Sequence, residues 1–474
     1  MMNARFFSVV FSTLVVTGTS WLGAAEVTMD FATDPHWEGY RNRLLPVPMP
    51  ITRQDFGWHA TQRAGGKAPG EIGGWIQRSI TPASFAKVIP TRTLKDRLSA
   101  SGKFTVSRDQ GGSGILLGWF HESSRGWRTP NSLAFRIDGN GGKYWVFYEY
   151  GTRGWLTGGG GCFEGDRYQT TATKPFKSDG TVHTWTLTYD PDGGEGYGMM
   201  TFLLDGKSYP QALAPGHKMD GAEFNRFGIF NQQLTGDGME AYFSDLVVDG
   251  ETIDLSKDPG WIGVGNKTEY ADRKRRPFQD FGWSEASRDN EKSGEIGGMI
   301  WRDVKPSYYA AKTEPLSLDD ELFASGTITF RGAGSDSGAY FGWFDAETKK
   351  DPAVKELDPA KNILAIFVEG PSRIGHYFRP EVHAANGEGV SAEAGPIIRP
   401  DGRVHRWELR YSPSGASGIG EVTVKFDDRV QSIALKPEHR KLGAKFDRFG
   451  IFNCQTGGHY VDIALDDLRF TKGR

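Results

Sequence analysis

This sequence is written twice. "DPHWEGYRN" at 34–42 is answered by "DPGWIGVGN" at 258–266, and "QDFGW" at 54–58 by the same five letters at 279–283. "GEIGG" at 70–74 returns at 294–298, and "GWF" at 118–120 returns at 342–344. "DGTVHTWTLTY" at 179–189 becomes "DGRVHRWELRY" at 401–411, "FNRFGIFN" at 224–231 becomes "FDRFGIFN" at 446–453, and "FSDLVVDG" at 243–250 becomes "LDDLRFTK" at 465–472. The blocks keep one order, and their offset stays between 222 and 225 residues. That is a tandem duplication, and its period is far longer than any solenoid repeat, so each copy is expected to be a domain with its own core. The expected division is a signal peptide at 1–25, a first copy at 26–252 and a second at 253–474. Residues 250–277 look like a linker, but their counterpart precedes the first copy, so they read as the opening segment of the second.

Within a copy the apolar residues alternate. In "VHTWTLTYD", His183, Trp185, Leu187 and Tyr189 share one face, and the second copy keeps that face as His405, Trp407, Leu409 and Tyr411. The reverse face changes from threonines to Arg406, Glu408 and Arg410. A face kept beside a face that turns charged is a buried face beside a solvated one. Both histidines are therefore expected as hydrogen-bonded core residues. Roughly a dozen such strands per copy, joined by turns such as "DGNGG" and "PSGASG", describe an all-β protein of two antiparallel two-sheet sandwiches.

The N-terminus, "MMNARFFSVVFSTLVVTGTSWLGAAEV", has a basic start, an apolar stretch and small residues before position 26. It reads as a secretory signal peptide cleaved after Ala25, with a non-cleaved anchor as the other reading. No later stretch has the apolar length of a membrane span. A secreted or periplasmic monomer is the expectation. With 56 basic and 59 acidic residues there is no electrostatic footprint for nucleic acid. Cys162 and Cys454 occupy non-equivalent places and read as two unpaired thiols rather than a disulfide framework.

An H-x-W-x-L-x-Y strand, a turn, F-L-L-D-G in the first copy, and an R-F-G strand before a closing S-D-L or D-D-L resemble the concanavalin A-like jelly roll. That superfamily includes laminin G-type modules, legume-type lectins, and several glycoside hydrolase and polysaccharide lyase families. The duplicated pattern also resembles tandem-sandwich proteins secreted by bacteria. The resemblance covers both copies and implies two tandem jelly-roll β-sandwiches; it is weak for function, which lives in sites grafted on such folds. It also implies that acids of the terminal strands, here Asp30, Asp245, Asp254 and Asp467, help hold a structural Ca²⁺. Hydrogen bonding at turns or edges is the other reading of those acids.

The glutamate of GEIGG, Glu71 or Glu295, reads in two ways. It is one member of an acid/base carboxylate pair, or it bonds backbone amides at a sheet edge or an arginine such as Arg226 or Arg448. Hydrolases of the resembling families carry alternating acids of the Glu-x-Asp-x-x-Glu kind, and Gly73 and Gly297 stand where the second acid would fall. The structural reading is preferred.

Function is expected where the copies diverge. After "SLAFRIDG" the first copy runs "NGGKYWVFYEYGTRGWLTGGGGCFEGDRYQ"; after "ILAIFVEG" the second runs "PSRIGHYFRPEVHAANGEG". Arg373, Tyr377 and Arg379 share a face there, with His376 on the other and His383 in the following loop. Arginine binds carboxylates, and tyrosine or histidine moves protons, so these residues with Glu295 are the candidate catalytic set of a polysaccharide lyase or hydrolase. Trp75, Trp145, Tyr148, Tyr150 and Trp301 are the candidate platforms for sugar CH faces, although the run at 144–150 also reads as core. No nucleophile elbow, zinc helix motif, Cys-x-x-Cys or phosphate loop is present. The expected function is an exported carbohydrate-recognising protein binding a polysaccharide. The alternatives are a polysaccharide-degrading enzyme with its site in the second copy, or a surface adhesion protein.

Overall fold

The computed structural model describes residues 25–473 other than 166, 167, 169, 170, 273, 276, 277, 286–293, 348–360 and 371–374. The expected signal peptide, apart from Ala25, and Arg373 lie outside the described residues. The chain forms two antiparallel β-sandwiches of jelly-roll type, each made of a nine-stranded and an eight-stranded sheet with the same strand order. Each has its own core between the sheets, built around Trp119, Phe104, Phe135 and Tyr144 in the first and Trp343, Trp407, Phe341 and Phe449 in the second. The predicted alternation holds: His183, Trp185, Leu187 and Tyr189 point inward along Val182–Asp190, as do Trp407, Leu409 and Tyr411 along Val404–Ser412. His183 and His405 bond Asp205 (2.6 Å) and Asp427 (2.8 Å) of the adjoining hairpin turns. Both cysteines are free and buried, and burial pushes both thiols up, so neither is a ready nucleophile.

The opening segments do not pack on the copies they begin. Ala25–Met29 pairs with the closing strand Tyr460–Gly473, Glu38–Tyr40 with Tyr308–Ser317, and Arg43–Leu44 with Gln279–Ser284, all in the second sandwich. Glu251–Thr252, Ile262–Val264 and Lys267–Ala271 make the same three pairings on the first sandwich. Residues 250–272 thus continue out of the first sandwich's closing strand and fold back on it, the short connection that chains prefer. Residues 25–44 supply the corresponding strap to the second sandwich.

The repeated motifs are the fittings of these straps. Trp58 and Trp283 of the two QDFGW blocks donate their indole N–H to the strap carbonyls of Leu255 and Phe31, each at 2.9 Å. Asn266 and Asn42, which close the DPxW blocks, accept the backbone N–H of Phe56 and Phe281 on their carbonyls and donate a side-chain amide to the carbonyls of the same residues. Trp37 packs on Phe31, Tyr309 and Phe470, and Trp261 packs on Phe85.

GEIGG belongs to the same device. Gly70 and Gly294 sit at φ of 122° and 99°, and a Cβ on either would overlap the strap carbonyl of Leu255 or Phe31. Glu71 is fully buried and accepts bonds from Thr61 Oγ1 (2.5 Å), the Arg63 amide (3.0 Å) and the Ala64 amide (2.8 Å). Glu295 instead accepts Arg331 Nη1 at 2.6 Å, and Asp462 shares that arginine at 2.8 Å. Both glutamates are engaged by partners within their own sandwich. Arg226 and Arg448, the suggested partners, pair with Glu122 and Glu38. Gly294→Ala is expected to cost the second sandwich about 3 kcal/mol or more, through strain and displacement of the strap. Gly70→Ala should do the same to the first, and urea unfolding of each variant checks it.

Candidate functional site

Strand alternation separates the residues expected to act together in the second copy. Along His376–His383, His376, Phe378 and Val382 face the core, while Tyr377, Arg379, Glu381 and His383 face outward. His376 shares a 2.7 Å bond with Ser337 Oγ and meets the Phe330 ring edge-on at 4.7 Å. Burial, helped by the Arg302 charge, pushes it down to about 3, so it stays neutral and turned away from Tyr377 and Arg379. His383 lies within the strand rather than in a loop, and its Nε2 is 2.6 Å from Glu381. Glu381 also accepts the Tyr340 hydroxyl at 2.8 Å. Tyr340 is stacked between Phe367 (4.1 Å) and Phe452 (5.1 Å) and held well above the usual phenol range by burial. Arg379 pairs with Glu369, donates to the Ala392 carbonyl (3.0 Å) and lies over Phe367. This outer face is filled by its own rings and ion pairs, and Glu295 lies in the other sheet.

The same registers in the first sandwich hold different side chains. Arg136 stands opposite Phe147, where the second sandwich has Phe367 opposite Arg379, so the arginine and the ring have changed strands. Both pairs keep the guanidinium over the ring, at 4.5 and 5.5 Å. Where the second sandwich fills this face with Tyr340, the first has room. A cleft of about 570 Å³ opens there. Its floor is Arg136, Asp138 and Glu149, its walls include Trp127, Phe147, Phe163 and Tyr168, and one side is the nearly bare strand Thr157–Gly161. Ser335, Asp336 and His459 of the second sandwich close the far rim.

The glycine strand has a structural cause: a Cβ at Gly158 or Gly160 would overlap the ring ends of Tyr150 and Tyr148 beneath it. Tyr148 and Tyr150 thus turn their rings into the core. Tyr148 stacks on Phe202, and the Tyr150 hydroxyl bonds the Ala214 amide and His217. Trp75 lies on the other sheet beneath Arg108. Trp301 is buried with Phe278, Met299 and Tyr460 against Ile80, where the sandwiches meet. Trp145 faces outward in edge contact with Tyr168 of the cleft wall, and of the five platform candidates Tyr148 alone is among the residues lining the cleft.

The floor is a closed ion-pair array. Glu149 accepts Arg136 Nε at 3.0 Å and Arg128 Nη1 at 2.8 Å, and Asp138 pairs with Arg78 and Arg136. Burial alone would favour the neutral carboxyls, but Arg136 with Arg128 holds Glu149 low, and Arg136 with Arg78 holds Asp138 low. Both are ionised at neutral pH, so neither is a proton donor. The array offers fixed hydrogen-bond donors and acceptors beside aromatic surface. Depressed carboxylates stabilise the fold above their unfolded values near 4, and that stability is lost as pH falls toward the lower folded values. The urea midpoint of the first sandwich is therefore expected to fall between pH 5 and pH 3, and Glu149→Gln should flatten that slope.

The acids expected to hold Ca²⁺ do not converge. Asp30 caps the Ala32 amide, and Asp254 caps Ser256. Asp245 takes the Lys67 amide and the Lys103 ammonium (3.0 Å), so a cation already satisfies it. The Asp467 amide bonds its neighbour Asp466. Among the described residues no three His, Cys, Asp or Glu side chains are placed to hold a metal ion, and the set does not fit Ca²⁺, which takes six to eight oxygens.

Comparison with protein-family models and with curated proteins gives no match. Among solved structures, domains LG4-5 of the mouse laminin α1 chain align over 90% of this chain and 94% of their own, at 11% identity and a TM-score of 0.24. Lectin UEA-II complexed with galactose covers 40% of this chain and 91% of its own (12%, 0.25), and the alginate lyase from Klebsiella pneumoniae 32% and 59% (11%, 0.23). At these scores the likenesses say nothing of what this chain binds; the fold rests on the strand pairing above.

Proposed function

We propose that this chain is an exported carbohydrate-recognising protein that holds a polysaccharide in the cleft of its first sandwich. The observation that carries the reading is the cleft's floor: two carboxylates ionised and shared among three arginines, set among four aromatic side chains. Aromatic rings pack on sugar CH faces, and fixed polar pairs orient hydroxyls, the composition of small-molecule sites in general. Hydrolysis would need a carboxyl kept protonated near neutral pH. Neither carboxylate on the floor is one, which favours binding over cleavage. Export is supported by the leader-like N-terminus. Among the described residues no helix is long and apolar enough to cross a membrane.

The test is incubation of the mature chain with a panel of polysaccharides, scored for retention, new reducing ends and unsaturated uronates. Retention without products is expected, and Tyr168→Ala should weaken it at least about tenfold, since Tyr168 is 40% exposed and contributes little to folding. Products that vanish in Arg379→Ala would replace this reading with an enzyme of the second sandwich. No retention on any glycan would favour a protein-binding role.

A further inference from the structure

We infer that the glycan taken by this cleft is uncharged: a neutral, hydroxyl-rich chain rather than a uronate or sulfated one. The inference rests on the glycan reading above and adds the ligand's charge class. Three arginines line the cleft, Arg78, Arg128 and Arg136, and three carboxylates oppose them, Asp138, Glu149 and Asp336. No lysine lines it among the described residues. Among the described lining residues the charges cancel, which leaves no net field to draw an anion.

The arginines are also committed. Arg136 holds both floor carboxylates, with Arg78 on one and Arg128 on the other. An incoming carboxylate would have to take an arginine from Asp138 or Glu149, and would then sit beside the carboxylate it had displaced. Like charges at that spacing repel, and breaking a buried pair is costly. A hydroxyl meets neither obstacle. It donates to a carboxylate lone pair and accepts from a guanidinium N–H together, and neighbouring hydroxyls of one sugar can bridge such a pair without separating it.

The aromatic surface agrees. Arg136 and Arg128 already lie over Phe147 and Trp127, while Phe163 and Tyr168 stand edge-on to Phe147 at 5.5 and 6.2 Å. They widen an apolar patch that suits the CH faces of an uncharged ring. Arginines free to clamp anions bidentately would have argued for uronates; these are not free.

The test is affinity electrophoresis and calorimetry of the mature chain with neutral glycans (dextran, laminarin, xyloglucan, galactomannan), with alginate and polygalacturonate, and with a sulfated glycan. Binding to a neutral probe is expected, with a Kd that changes less than about twofold between roughly 0.05 and 0.5 M NaCl, because no net charge is screened. Phe147→Ala should abolish it with the fold checked by near-ultraviolet circular dichroism, and Tyr168→Ala supplies an exposed variant that is not at risk of misfolding. Binding confined to uronates or sulfated chains, falling about tenfold or more over that salt range, would overturn the charge class and leave the glycan reading standing. Failure to bind any glycan, neutral or acidic, would overturn both.

Discussion

A chain that begins at residue 45 should keep its first sandwich and lose its second. Phe31 is 2% exposed in the second core, and Val27, Met29 and Trp37 pack against it. Removing these four side chains forfeits about 1.5–3 kcal/mol each. It also takes away three strand pairings and the Glu38 ion pair with Arg448. A domain's whole stability is only about 5–15 kcal/mol, so losing these side chains and pairings together leaves little to hold the second sandwich. Hydrogen exchange resolves the two halves. Amides of Glu295–Trp301 and Tyr460–Gly473 should exchange freely in the shortened chain, while those of Glu71–Gln77 and Gly238–Val248 stay protected. Equal protection in both halves would show that the strap is dispensable.

The second large effect is expected at Glu149. Glu149→Ala removes the Arg128–Glu149 ion pair and leaves Arg136 paired with Asp138, both guanidiniums still on the floor of the cleft. Removing one member of a buried ion array costs about 3–5 kcal/mol, chiefly because the remaining charge stays desolvated. For a sandwich of this size that lowers Tm by about 10 °C, and calorimetry should show it in the first sandwich only. Glu149→Gln keeps the shape and one acceptor, and should cost less while still weakening glycan retention.

Much of this was legible in the sequence, and for a physical reason. Repeated motifs report what both copies must do, which is fold. The buried faces of "VHTWTLTY" and "VHRWELRY" were readable because a strand's period is two. The glutamate of GEIGG was expected as structural because it stands in both copies, and its partners lie within its own sandwich. The route of the straps was not readable. The pattern DPxW–QDFGW–GEIGG recurs identically whether a segment packs on the copy it opens or on the other one, and strand pairing alone distinguishes them.

The site was harder still. His376, Tyr377 and Arg379 are near neighbours in sequence, yet the sheet lies between the histidine and the other two. Tyr148 and Tyr150 read both as platforms and as core, because an aromatic run does not say which face is outward. Arg136, Asp138 and Glu149 were passed over because they are sparse charges spread over two largely apolar strands, Arg136 and Asp138 on one and Glu149 on the next. The signal that could have found them is the exchange of Arg136 and Phe147 for Phe367 and Arg379, and it appears only once cross-strand register is known.

The central claim is that shared residues build the fold and that binding belongs to the first sandwich, where the copies diverge. Register-equivalent variants test it most directly: Phe147→Ala in the first sandwich and Arg379→Ala in the second, each measured for retention on the bound glycan. The account predicts that Phe147→Ala removes retention and that Arg379→Ala leaves it within about twofold of the parent chain. Loss of retention in Arg379→Ala with Phe147→Ala unaffected would place the site in the second sandwich and contradict it.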